Sequence, residues 1–278
     1  MHEITQRIQQ EARKLLQQKQ VDVVVGYQRG WAEDVATPCF VTQESDVENL
    51  IFDEHCHHNL AKYLVGREGY LTSRFVAEDD RPKVAVVATP ATLRTLVGLI
   101  QEHQLRRDAV VILGVLDGTP AGTDPDIEVG RIEKDADEQE RISVEIQRLD
   151  GLSAPERQVW WEQQFAKCIR CYACRQVCPF CYCERCITDE NQPQWIGRSP
   201  SLQNNTSWNV IRAFHLTGRC TGCGECDRVC PVNIPLSVLN AKMVAEVEEA
   251  FDYVAGIDME TMPTLHTFRA EDPEGFIK

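Results

Sequence analysis

The chain opens on MHEITQRIQQEARKLLQQKQ, where Ile4, Ile8, Leu15 and Leu16 stand at helical spacing among polar residues. The pattern predicts an amphipathic helix of about four turns. VDVVVGY follows, a continuous β-branched run of the kind carried by a strand covered on both faces. Farther on, PKVAVVAT (82–89), PATLRTLVGLIQEHQL (90–105) and AVVILGVL (109–116) predict strand, helix and strand. Thr89 can cap that helix, Pro90 suits its first position, and Leu93, Leu96, Leu99 and Ile100 make one stripe. A helical crossover between parallel strands is the expected product. Residues 1–150 therefore read as an α/β domain, a small parallel sheet with crossover helices, ending in an acidic linker. Such sheets place ligands after the strand ends, here after Thr89 and Leu116. Neither G-x-G-x-x-G nor G-x-x-x-x-G-K-[ST] occurs there, so no nucleotide is indicated.

From Gly151 the character changes, and 151–278 reads as a second, α+β ferredoxin-like domain. WWEQQF leads into a cysteine-rich stretch, TDENQPQWIGRSPSLQNNTS (188–207) reads as a loop, and WNVIRAFHL as a short helix capped by Thr206 or Ser207. A last helix is expected from Pro235 to Val254, with Leu236, Leu239, Met243, Val247 and Phe251 on the face that packs over the cysteine-rich part.

An apolar share of 43% implies a folded chain, and a net charge of -14 argues against a nucleic-acid partner, which needs a basic face. Eleven acidic against four basic residues between Asp117 and Asp150 supply half of that charge, as a solvated face or a dock for a basic partner. No membrane span and no signal peptide are expected, which places the protein in the cytoplasm.

Eleven of the thirteen cysteines fall between 168 and 230, at spacings that suit metals better than disulfides. Cys168, Cys171, Cys174 and Cys178, followed by Pro179, match C-x2-C-x2-C-x3-C-P, and Cys220, Cys223, Cys226 and Cys230, followed by Pro231, repeat it. This is the pattern of ferredoxins with two 4Fe-4S clusters, in which each run's fourth cysteine ligates the other cluster. Three thiolates on one tight turn grip three corners of a cubane, and the fourth residue points away to the neighbour. One cluster then takes Cys168, Cys171, Cys174 and Cys230, the other Cys220, Cys223, Cys226 and Cys178. Zinc competes for any isolated C-x2-C pair, but two complete copies with both prolines favour the clusters. Arg170, Arg175, Arg219 and Arg228 lie among the ligands and either tune the potentials, offset the clusters' charge or meet a partner's carboxylates.

Cys181, Cys183 and Cys186 are left over. They are either small buried residues or ligands of a third centre, a 4Fe-4S cluster or a zinc, whose fourth ligand would be Cys56 in FDEHCHHNLAKYL. Cys39, in ATPCF, is a weaker candidate for that ligand and reads rather as core.

VDVVVGY, NLAKYL, VAVVATPATLRTLVGLIQEHQLRRDAVVILGVLDG and the double cysteine motif, in that order, resemble the beta subunits of deazaflavin-reducing hydrogenases and formate dehydrogenases and their shorter iron-sulfur relatives. The resemblance implies an electron-transfer subunit whose partners are other subunits of a redox complex: a catalytic formate dehydrogenase or hydrogenase, or a heterodisulfide-reductase-like subunit. No catalytic residues are expected. The stretch between sheet and cysteines is too short for the large flavin-binding region of full-length members, so flavin binding and deazaflavin reduction are not carried over. The alternative is a flavin-containing subunit that itself reduces a deazaflavin or ferredoxin.

Overall fold

A computed structural model of the protein describes residues 1–66, 69–71, 81–133 and 136–264, leaving aside the side chains of 136–138. Of the acidic stretch, Lys134 and Asp135, with the side chains of Asp137 and Glu138, lie outside the described residues. The chain order is α1 (His2–Gln17), β1 (Val23–Arg29), β2 (Ala36–Val41), β3 (Val84–Ala88), α2 (Pro90–Gln101), β4 (Val110–Leu116), β5 (Ile127–Arg131), α3 (Ala136–Asp150), α4 (Ala154–Ala166), α5 (Ala173–Val177), α6 (Leu202–His215), α7 (Glu225–Arg228) and α8 (Leu236–Phe251).

One five-stranded sheet runs in the order β2-β1-β3-β4-β5. The pairs β1–β3, β3–β4 and β4–β5 are parallel, but β1 and β2 are antiparallel. The sheet is thus mostly parallel rather than wholly so, and two of its strands, β2 and β5, carry little sequence signal. In β2, Pro38 has no N–H to give and Phe40 is exposed, which an edge strand tolerates and a central one does not. β5 holds Gly130, where a Cβ would come 2.6 Å from the Ile4 side chain of α1. The central strands are what their sequences promise, with every residue of β3 buried.

Helix α1 buries Ile4, Ile8, Ala12 and Leu15. Helix α2 starts as expected, Thr89 accepting from Thr92 N with Pro90 in the first turn, but stops at Gln101. His103 takes a left-handed backbone, φ 54°, and lets Leu105 fold back under the helix, where it is buried. Helix α6 begins a turn and a half before its expected start. Ser201 caps it instead of Thr206 or Ser207, because Asn205 must lie within the helix to donate to the carbonyls of Phe165 (3.0 Å) and Cys168 (2.8 Å). Helix α8 ends where Asp252 turns left-handed, and Phe251 is exposed rather than packed. Cys39 is buried, as its apolar setting suggests.

The cysteine-rich region does not float free of the sheet. Phe180 and Leu216 join the same buried cluster as the strands, with Cys178, Cys181 and Cys220 packed against it. Gly98 of α2 makes room: a Cβ there would lie 2.9 Å from the Phe180 ring.

Candidate metal centres

The two cysteine motifs fold into the same local turn. In the second, Gly222 and Gly224 adopt φ of 70° and 71°, and α7 follows. At the equivalent places in the first stand Arg170 and Tyr172, with φ of 58° and 62°, and α5 follows. Left-handed backbone costs a side-chain-bearing residue about 1–2 kcal/mol, so the first copy needs compensation. It has it: Tyr172 meets Trp208 edge to face at 4.9 Å, and the Arg170 guanidinium lies 4.8 Å over the same indole and donates to Asn204 O at 3.0 Å.

Cys178 leaves the first motif and lines one cavity of about 160 Å³ with Cys220, Cys223 and Cys226 of the second. That is several times the ~30 Å³ share of one water. Cys230 leaves the second motif and packs with Cys168 and Cys174 around Phe165, Ile234 and Leu236. Burial raises the Cys174 thiol, with Cys168, Cys171 and Cys230 adding to the effect. Burial likewise pushes Cys220 and Cys226 up, and Cys223 to about 12, Cys178 acting on both Cys220 and Cys223. Four converging, unbridged cysteines, which bind metal as thiolates, are a donor set suited to an iron-sulfur cluster. The two quartets differ in exposure, since Cys171 is open to solvent, whereas in the second set Cys226 is buried and Cys178, Cys220 and Cys223 are half-buried.

Polar contacts from the α/β part hold the second loop. Thr95 Oγ1 lies 2.9 Å from Thr221 Oγ1 and accepts from Asn59 Nδ2 at 2.8 Å. His58 Nδ1 sits 2.5 Å from buried Glu225, which also pairs with Arg228 at 2.8 Å. Arg219 and Tyr182 both donate to Glu102 at the end of α2, at 2.7 and 2.9 Å.

Of the arginines noted in the sequence, Arg175, Arg219 and Arg228 thus face Asp189, Glu102 and Glu225, and Arg170 is stacked on Trp208. Arg228 also donates to the carbonyl of Cys223, and a further cation at the cysteines is one the sequence reading missed. Arg212, buried on α6, donates from Nη2 to Cys174 O at 2.8 Å and lines the cavity of Cys178, Cys220, Cys223 and Cys226. The available signal was a charge one helical turn from Trp208, on the apolar face of WNVIRAFHL.

The four cysteines expected at a third centre do not share one site. Cys181 and Cys183 line a cavity with His58, Tyr63 and Tyr182. Cys186 contacts Thr188 Oγ1 at 2.9 Å. Cys56 lines a different cavity, beside Cys223, where burial pushes its thiol to about 12 and it donates to Asp53 Oδ1 at 3.5 Å. Among the described residues, no three His, Cys, Asp or Glu side chains are grouped to hold a single metal ion. The Cys181 thiol instead donates a hydrogen bond to Cys178, which pulls Cys178 down to about 6 and pushes Cys181 up.

Residues 164–234 match the family model of the 4Fe-4S dicluster domain. The chain carries a 4Fe-4S dicluster domain. It is also 30% identical over 109 residues to the F420-dependent formate dehydrogenase subunit beta of Methanocaldococcus jannaschii, a match covering 39% of this chain and 28% of that protein. With the F420-dependent formate dehydrogenase 1 subunit beta of Methanococcus maripaludis it shares 31% over 105 residues, 38% of this chain and 26% of the other. The resemblance drawn from the sequence is borne out, and the chain spans little more than a quarter of the length of the curated relatives it matches. Among the described residues no helix is long and apolar enough to cross a membrane.

Proposed function

We propose that this chain is an electron-transfer subunit of a multi-subunit oxidoreductase, relaying single electrons through two 4Fe-4S clusters with exchanged fourth ligands. Cys168, Cys171, Cys174 and Cys230 hold the outer cluster, and Cys178, Cys220, Cys223 and Cys226 the inner one. The observation that carries this reading is the cavity of about 160 Å³ shared by Cys178 with the three cysteines of the other motif. When bound, such clusters take up and release one electron at a time, with potentials set by hydrogen bonds, burial and nearby charge. The protein's part is to keep water from the inner site, to fix both turns through the Thr95–Thr221 and His58–Glu225 contacts, and to leave Cys171 at the surface for exchange with a partner.

By similarity to the two formate dehydrogenase beta subunits, the partner is a catalytic dehydrogenase; a hydrogenase or a heterodisulfide-reductase-like subunit would use the same relay. Residues 1–150 then serve as the docking half and 151–278 as the conducting half. One observation favours a second reading, a flavin-containing subunit that itself reduces a soluble carrier. A cavity of about 620 Å³ joins Thr89, Ala91, Asp117 and Thr119, at the ends of β3 and β4, to Cys223.

Iron, sulfide and zinc per chain, measured with the visible spectrum after anoxic purification, test these readings. About eight irons without flavin bands support the relay. Flavin bands move the assignment to the second reading, and about twelve irons, or eight with one zinc, restore a third centre at Cys181, Cys183, Cys186 and Cys56. A chain that binds no iron refutes the proposal.

A further inference from the structure

Arg212 sits where a positive charge is costly. It is 5% exposed, it forms no ion pair among the described residues, and its Nη2 is satisfied by the carbonyl of Cys174. Its Nε is fully buried and has no hydrogen-bond acceptor. A guanidinium taken from water without compensation is strongly disfavoured, and a buried N–H with no acceptor adds to the cost. Arg170 also has a buried Nε without an acceptor, but it is stacked on Trp208 and tied to Asn204 O, away from the inner cavity. Arg212 has no such ring contact among the described residues. Around it are cysteines: it lines the cavity of Cys178, Cys220, Cys223 and Cys226 and donates to the carbonyl of Cys174. Asn240, donating to Cys226 Sγ at 3.6 Å, lines the same cavity.

We propose that Arg212 is the positioning residue that gives the inner cluster a charged N–H hydrogen bond from Nε and thereby sets that cluster's reduction potential above the outer one's. The inference rests on the reading that Cys178, Cys220, Cys223 and Cys226 hold a 4Fe-4S cluster. Reduction adds one electron and one negative charge to the cluster, with no bond broken and no proton moved. A fixed cation beside it stabilises the reduced state more than the oxidised one, and the potential rises. Arg212 lines the inner cavity itself and meets the outer loop beside it, at the Cys174 carbonyl, so the larger effect falls on the inner centre. Electrons arriving at the exposed cluster are drawn inward, toward the cavity bounded by Cys223 and the strand ends.

The test is a redox titration followed by electron paramagnetic resonance on the whole, anoxically purified chain, comparing wild type with Arg212→Gln and Arg212→Lys, with iron counted in each. In Arg212→Gln the inner centre's reduction constant should fall tenfold or more, a shift of about 59 mV for a one-electron couple, with a smaller change at the outer centre. Arg212→Lys, which keeps the charge but loses the Nε–H, should fall between the two. The shifted signal should be the one that persists when Cys168, Cys171 and Cys174 are changed to Ala. Unchanged potentials in an Arg212→Gln chain that holds both clusters overturn the proposal. Should Arg212→Gln fail to hold the inner cluster, Arg212→Lys decides, and a wild-type potential in that chain overturns it. A wild-type chain without 4Fe-4S signals would instead sink the relay reading itself.

Discussion

The exchange of fourth ligands can be tested by asking whether two sets of substitutions remove the same cluster or different ones. Cys178 shares its cavity with Cys220, Cys223 and Cys226, whereas Cys174 is influenced by Cys168, Cys171 and Cys230. With about four irons per cluster, Cys178→Ala should lower the content of the chain from about eight irons to about four. The triple change of Cys220, Cys223 and Cys226 to Ala should do the same. Combining all four substitutions is the informative step. If Cys178 belongs to the inner quartet, the second set has nothing further to remove, and about four irons remain on Cys168, Cys171, Cys174 and Cys230. If each motif held its own cluster, the two losses would add and the combined chain would hold almost none. Non-additivity of this sort marks residues that act as a unit. The assay is iron and sulfide per chain in anoxic preparations whose circular dichroism confirms the fold. A combined variant whose iron falls toward zero while the fold persists would refute the assignment.

Two further predictions concern how the α/β part grips the inner loop. Burial alone would raise the Glu225 carboxyl, but the hydrogen bond from His58 and the charge of Arg228 hold it below its usual value. Its contribution is therefore complete above the unfolded value of about 4.3 and is lost as pH falls through the lower folded value. Glu225→Gln should cost about 1.5–3 kcal/mol at pH 7, in urea unfolding, with the difference from wild type shrinking on acidification below about pH 4; a difference independent of pH would refute the linkage. Gly98→Ala places a methyl group 2.9 Å from the Phe180 ring, and overpacking of this kind costs about 1–3 kcal/mol. The loss should appear as a lowered melting temperature and be partly recovered by adding Phe180→Leu, a rescue that would not occur if α2 and the loop after Cys178 did not touch.

The sequence by itself determined whatever depends on neighbours along the chain. The β-branched runs became β1, β3 and β4, Thr89 and Pro90 started α2, and the two C-x2-C-x2-C-x3-C-P repeats marked the dicluster domain, because spacing alone decides whether three thiols can sit on one turn. Strands β2 and β5 escaped it, since short edge strands with Pro38 and Gly130 are held by the partner's backbone and not by their own pattern. Only the tertiary structure put Arg212 against the cysteines and joined His58 to Glu225 across 167 positions. It also separated Cys56 from Cys181 and Cys183 onto different cavities. Long-range placement of this kind follows from how α2, α6 and the cysteine loops pack around Phe180 and Leu216, and close packing is a property of the whole set of side chains that no local spacing encodes.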